Sequence, residues 1–129
     1  MPDPKPPQLA HIAPVLPVAD LKASLAYYCG KLLFETRFEW ADTEAEPARY
    51  AILCRDQVEL HLSSGAARHP ATAYCFVDGV DGYYAEVKAA GANITEALAD
   101  QPWEMREFET KDLDGNVLMF GEHKSRIDG

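Results

Sequence analysis

Glu59, His61 and Ser63 occupy alternate positions of Val58–Ser63, so on a strand they share one face and leave Val58, Leu60 and Leu62 on the other. An imidazole there can donate or accept a hydrogen bond and titrates near neutrality. His11 has the matching parity on an earlier apolar stretch. Even so, His11, His61, His69 and His123 show no metal-ligand spacing. The three cysteines, Cys29, Cys54 and Cys75, have no paired spacing and lie in apolar segments, so reduced and mostly buried thiols are expected. Trp103 sits in the loop Gln101-Pro102-Trp103, away from any core periodicity. An indole so placed either walls a cleft for a flat aromatic group or anchors the loop to the core. The densest acidic stretch, Glu35 to Pro47, sets Glu35, Glu39, Asp42, Glu44 and Glu46 against Arg37 and contains Trp40. It is either a solvated face or acid lying beside an aromatic cleft.

The elements that must hold these side chains come in two similar runs. Val15–Leu21 feeds Leu25, Tyr28 and Leu32; Tyr74–Val80 feeds Tyr84, Val87 and Gly91, at the same offsets from Leu21 and from Val80. Those offsets trace one helix face, so each run predicts a short strand followed by an amphipathic helix. Asp20 and Asp81 are the expected N-caps, and Gly30 and Gly91 the expected stops. Strands are expected at about 34–40, 49–55 and 58–63 in the first half and at 93–95, 106–111 and 117–120 in the second, with turns at Arg55-Asp56-Gln57 and Asp114-Gly115. The expectation is one α+β domain over 1–129: a βαβββ module at about 8–64, a connector at 65–70 and a second module at 71–122. On the first strand, Ile12, Pro14, Leu16 and Val18 form the apolar face and His11, Ala13, Val15 and Pro17 the other; on the last, Leu118 and Phe120 oppose Val117 and Met119. The apolar faces pack on the helices, and the mixed faces line the open concave side of a curved sheet, suited to a small-molecule cleft.

With 129 residues, a net charge of −9 and a pI of about 4.8, the chain lacks the basic surface a nucleic-acid binder needs. No stretch has membrane-spanning length, and no signal-peptide core follows the proline-rich Met1–Pro7, which points to the cytoplasm.

Beyond this, the chain resembles the vicinal oxygen chelate superfamily, with its glyoxalase fold, and is most similar to the bleomycin resistance proteins. The likeness spans about Pro14 to Glu122. It rests on Pro14–Asp20, Leu33–Phe38, Val58–Ser63, Gln101-Pro102-Trp103 with Arg106-Glu107-Phe108, and the turn Asp112-Leu113-Asp114-Gly115-Asn116. The superfamily's enzymes hold a divalent metal through His, Glu or Gln on four strands. Carried over by resemblance, those positions fall on Ala13, Glu59, Ala73 and Met119. Only Glu59 is a hard-ion donor, so no metal and no cofactor are expected. Resistance-type members do no chemistry; the resemblance implies symmetric homodimers that sequester the drug in crevices at the subunit interface, with exchange of the N-terminal arm common. It implies a crevice lined by Trp103, Tyr50, Phe38 and Ser63, which His61 and Glu59, on the strand face of Ser63, are expected to join, and an acidic surface suited to bleomycin's cationic tail. Phe38, of the same parity as Phe34, is equally open to a core reading, and Tyr74, which replaces a family aromatic near the cleft floor, is read as a core residue. Glu104 stands where the family usually has Gly, and Leu113 where it has Pro. The alternatives are a binder of some other aromatic molecule and a superfamily metalloenzyme with an altered site.

Overall fold

The computed structural model describes residues 5–65 and 69–128. The first part of the proline-rich arm and the middle of the connector lie outside them. The order of elements is β1 (Val15–Pro17), α1 (Leu21–Gly30), β2 (Glu35–Trp40), β3 (Tyr50–Arg55), β4 (Val58–Ser63), β5 (Thr72–Phe76), α2 (Val80–Ala90), β6 (Ile94–Asp100), β7 (Met105–Lys111), β8 (Val117–His123) and α3 (Lys124–Asp128). The strands form two four-stranded sheets, β1-β4-β3-β2 and β5-β8-β7-β6. In each, the first strand joins in parallel and the remaining pairs are antiparallel. The repeated order of elements anticipated this α+β fold, and both sheets have the same topology.

The apolar faces, α1 and α2 share one core. Leu16, Leu53, Leu60 and Leu62 from the first sheet meet Val80, Val87, Phe108, Leu118 and Phe120 from the second half. Tyrosines fasten the halves together: Tyr27 donates to the Lys111 carbonyl at 3.1 Å, and Tyr83 to the Leu32 carbonyl at 2.8 Å. Tyr28 donates to Asp112 Oδ2 at 2.8 Å. Burial first, then the Asp112 charge, pushes the Tyr28 phenol far above its ordinary range and keeps it a donor.

The Asp112–Asn116 turn is the main polar joint. Asp112 Oδ1 accepts from the backbone N–H groups of Asp114 and Asn116, both at 2.9 Å, and Oδ2 from the Asn116 amide at 2.8 Å. Asn116, fully buried, donates on to the Pro17 carbonyl and accepts from the Ala71 N–H, both at 2.8 Å. Asp114 Oδ1 takes the Ala19 N–H at 3.0 Å. The motif thus ties the end of β1 to the start of β8. Leaving such buried polar groups unpaired would cost about 1–3 kcal/mol each.

Local expectations needed correction at several points. Asp20 does cap α1, accepting from the Ala23 N–H at 3.0 Å. Asp81 does not cap α2. Gly79, in the left-handed region at φ 87°, is the cap residue, and Glu122 on β8 accepts from Gly79 N and Val80 N. Asp81 lies one residue inside the helix and pairs with Arg106 instead. Gly91 ends α2 at φ 90°, whereas α1 runs through Gly30 and its cap residue is Lys31. β1 is shorter than expected, so Ile12 precedes it and stands 92% exposed rather than on the apolar face. β6 is longer than expected, and α3 gave no periodic signal. The cysteines are half-buried free thiols.

Candidate functional site

The face of the first sheet away from the core carries every candidate residue except Trp103. Register puts Phe38 beside Ile52, Ile52 beside His61 and His61 beside Val15; in the next row lie Trp40, Tyr50, Ser63 and Pro17. Glu59 neighbours Cys54. Simple alternation would have put Phe38 on the same side as the buried Phe34. The register shifts between Thr36 and Phe38, and the extra residue turns Phe38 outward, where it is 48% exposed.

On this face a polar chain runs across β3 and β4. His61 Nε2 lies 3.0 Å from Glu59 Oε2 and His61 Nδ1 lies 2.6 Å from the Tyr50 hydroxyl. A carboxylate can only accept, so Nε2 donates to it, and the neutral ring's Nδ1 accepts from Tyr50. The His61 hydrogen bond, then the charges around it, holds the Glu59 carboxyl below the usual carboxylate range. His11 Nε2 stands farther off, 3.8 Å from Glu59. At the strand edge Arg49 stacks 4.7 Å from the Trp40 ring centroid and pairs with Asp42 at 2.7 Å, so part of the acidic stretch is internally neutralised.

Trp103 belongs to the second sheet. Its loop enters β7, and the indole Nε1–H donates to Glu107 Oε1 at 2.8 Å. Tyr74, from β5, donates to the same oxygen at 3.1 Å. Tyr74 therefore lies on the open face, not in the core, with its ring 5.1 Å from that of the exposed Phe76. Burial first, then the Glu107 carboxylate, pushes the Tyr74 phenol up to about 12. Gly121, beside Glu107 on β8, makes room for this arrangement: a Cβ there would lie 1.9 Å from the Tyr74 hydroxyl. Trp103 itself remains 60% exposed. Among the described residues no hydrogen bond or aromatic contact joins this cluster to Tyr50, His61 and Glu59. A groove of about 670 Å³ at the seam of the modules, lined by residues including Arg55, Phe76, Tyr83 and Phe120, contains none of the candidate residues.

The metal positions of the superfamily's enzymes do not fit this chain. Ala13 lies just ahead of β1 and lacks a donor, and Met119 offers a thioether. Ala73 packs toward the core, so the open-face residue of β5 opposite Met119 is Tyr74. Among the described residues, no group of three or more His, Cys, Asp or Glu is placed to hold a metal ion.

The family model described as Glyoxalase/Bleomycin resistance protein/Dioxygenase superfamily matches residues 8–120. The chain belongs to that superfamily. A bleomycin resistance protein of Geobacillus stearothermophilus is 32% identical over 128 residues, covering 83% of this chain and 92% of its own. Two solved structures share the fold: TioX from Micromonospora sp. ML1 (TM-score 0.76, 20% identity, 88% of this chain and 98% of that one) and a bleomycin-binding protein complexed with bleomycin (TM-score 0.73, 21% identity, 89% and 99%). Within this superfamily member, Glu107, Tyr74 and Gly121 are the residues whose part in the site sequence reasoning missed. Glu107 was legible only as a family marker; its parity, opposite Phe108, was the available signal.

Proposed function

We propose that this chain is a metal-free binding protein that sequesters a cationic aromatic glycopeptide antibiotic of the bleomycin type. The observation that carries this reading is the division of the candidate residues between two open faces. One presents Phe38, Tyr50, Glu59, His61 and Ser63; the other presents Trp103 over Glu107. In a symmetric homodimer the first face of one subunit opposes the second face of its partner, closing a pair of equivalent crevices. Leu9 and Ile12, almost fully exposed ahead of β1, support an N-terminal arm that crosses to the partner. The similarity to bleomycin resistance proteins supports the ligand class. Among the described residues no helix is long and apolar enough to cross a membrane, and we place the protein in the cytoplasm.

The test is a titration of Trp103 fluorescence with metal-free and copper-loaded bleomycin, with light scattering and metal analysis on the same sample. Saturable quenching at sub-micromolar drug by a dimer without stoichiometric metal is the expected result. Absence of saturable binding at high micromolar drug removes the ligand assignment. The competing reading, conversion of another small molecule, has the Glu59–His61–Tyr50 chain on its side, because an imidazole oriented by a carboxylate against a hydroxyl is a general-base geometry. Stoichiometric divalent metal in chelator-free protein would favour it.

A further inference from the structure

Among the described residues two acidic side chains are buried without a cation, Asp112 and Glu107; Asp112 accepts hydrogen bonds at both carboxylate oxygens, Glu107 at one only. Glu107 is 4% exposed, yet it takes part in none of the ion pairs of the described residues. Its hydrogen bonds come from neutral donors, Trp103 Nε1–H and Tyr74 O–H, and both land on Oε1. Oε2 accepts no hydrogen bond among those residues. The only fully buried side-chain polar atom there without a partner is Ser24 Oγ, so Oε2 keeps an opening to the surface. Burying a carboxylate is unfavourable unless a cation and hydrogen bonds compensate. Here Oε1 is spent on fixing an indole and a phenol, while Oε2 retains some surface and has no partner among the described residues.

Resting on the binding-protein reading above, we propose that Glu107 is the specificity-determining residue of the aromatic crevice. Oε1 fixes the Trp103 ring, and Oε2 takes an N–H donor from a cationic group carried on a flat aromatic ligand. The carboxylate selects for amidinium, guanidinium or primary ammonium groups and against carboxylates of the same shape. The indole beside it adds stacking and cation–π attraction to the same ligand. Gly121 belongs to the same device, because any side chain at that position would displace Tyr74 from over the carboxylate.

Benzamidine and benzoate are planar isosteres, one presenting N–H donors and the other acceptors. Their dissociation constants can be read from the Trp103 indole N–H resonance, assigned with Trp103→Phe. In the wild type, benzamidine should bind at least about tenfold more tightly than benzoate, the difference expected of a charge-assisted hydrogen bond. Glu107→Gln keeps an oxygen for the indole and replaces the other with a donor. It should shrink the gap to about twofold or less while the hydrogen-bonded indole shift persists. Glu109→Gln removes an equal charge from the same face and should leave the gap intact, excluding general attraction to an acidic protein. Equal binding of the fragments by the wild type, no response of Trp103 to either, or a gap that survives in Glu107→Gln would each overturn the proposal. The wild-type comparison stands even if that variant does not fold. Should bleomycin fail to bind while the benzamidine preference persists and depends on Glu107, the drug assignment falls and the subsite remains.

Discussion

Each open face centres on a carboxylate bonded to aromatic partners, but the surroundings differ. On the first sheet, Glu59 lies at the surface, with a quarter of its side chain exposed, and its partner His61 is bonded in turn to Tyr50. On the second, Glu107 is covered by the Tyr74 and Trp103 that it holds, and Gly121 yields the space. The same functional group is therefore an adjustable surface acceptor in one place and a fixed, desolvated one in the other. The second arrangement depends on packing as well as on hydrogen bonding. Substitutions should accordingly have unequal effects on the two faces.

The largest contrast is expected from Gly121→Ala. Its methyl group would displace the Tyr74 hydroxyl and press on the Glu107 Cβ, 3.1 Å away. Overpacking of this kind destabilises by about 1–3 kcal/mol. His61→Ala, on the more open face, should change stability by about 0.5 kcal/mol or less. Urea unfolding of both variants measures the contrast, and equal losses would show that the two carboxylates are not differently supported.

A smaller effect of opposite sign is expected next to Trp103. Glu104 has φ 67°, in the left-handed region that suits glycine. This explains in physical terms why the family's usual glycine follows the tryptophan. Its backbone carbonyl accepts from the Lys124 N–H, a bond that glycine would keep. Glu104→Gly should therefore stabilise the folded chain by about 1 kcal/mol, visible as a raised urea midpoint with unchanged slope.

How far these faces were legible follows from what sets them. Alternation along β4 placed Glu59, His61 and Ser63 together correctly, because that strand pairs without a bulge. Phe38 needed the register shift in β2, which no single-strand pattern reveals. The Asp112–Asn116 turn was legible as a motif, whereas its bonds to Pro17, Ala19 and Tyr28 depend on tertiary neighbours far away in the chain. Cap assignment failed at Asp81 because Glu122, remote in sequence, supplies the acceptor. Tyr74 resembled a core aromatic; only the pairing of β5 with β8 shows that it covers Glu107. The repeat thus carried the fold, and long-range side-chain partners determined the finer structure of the site.

Titration sharpens the contrast at its alkaline end. Burial and then Glu107 raise the Tyr74 phenol from 10 to about 12, so the folded state retains this proton longer than the unfolded chain does. The resulting stabilisation is complete below pH 10 and is lost as pH rises through about 12. Ultraviolet titration should show a phenolate component near pH 12 that loses one tyrosine in Tyr74→Phe and moves to lower pH in Glu107→Gln. A late transition unchanged by Glu107→Gln would leave burial alone as its cause.

The smallest effect lies at the acidic end, on the exposed face. The His61 hydrogen bond lowers the Glu59 carboxyl, so the folded state releases that proton more readily than the unfolded chain. The contribution is present above the ordinary carboxylate range and is lost as pH falls through the lowered value. Because Glu59 lies in reach of solvent, screening keeps the effect small. His61→Gln replaces the imidazole donor with a weaker amide donor, so the Glu59 carboxyl resonance should titrate nearer its ordinary range while stability at neutral pH hardly changes. If that resonance does not move, the Glu59–His61 pair contributes nothing to the poise of this face. His61 could then act on a bound ligand only through its own hydrogen bond to Tyr50.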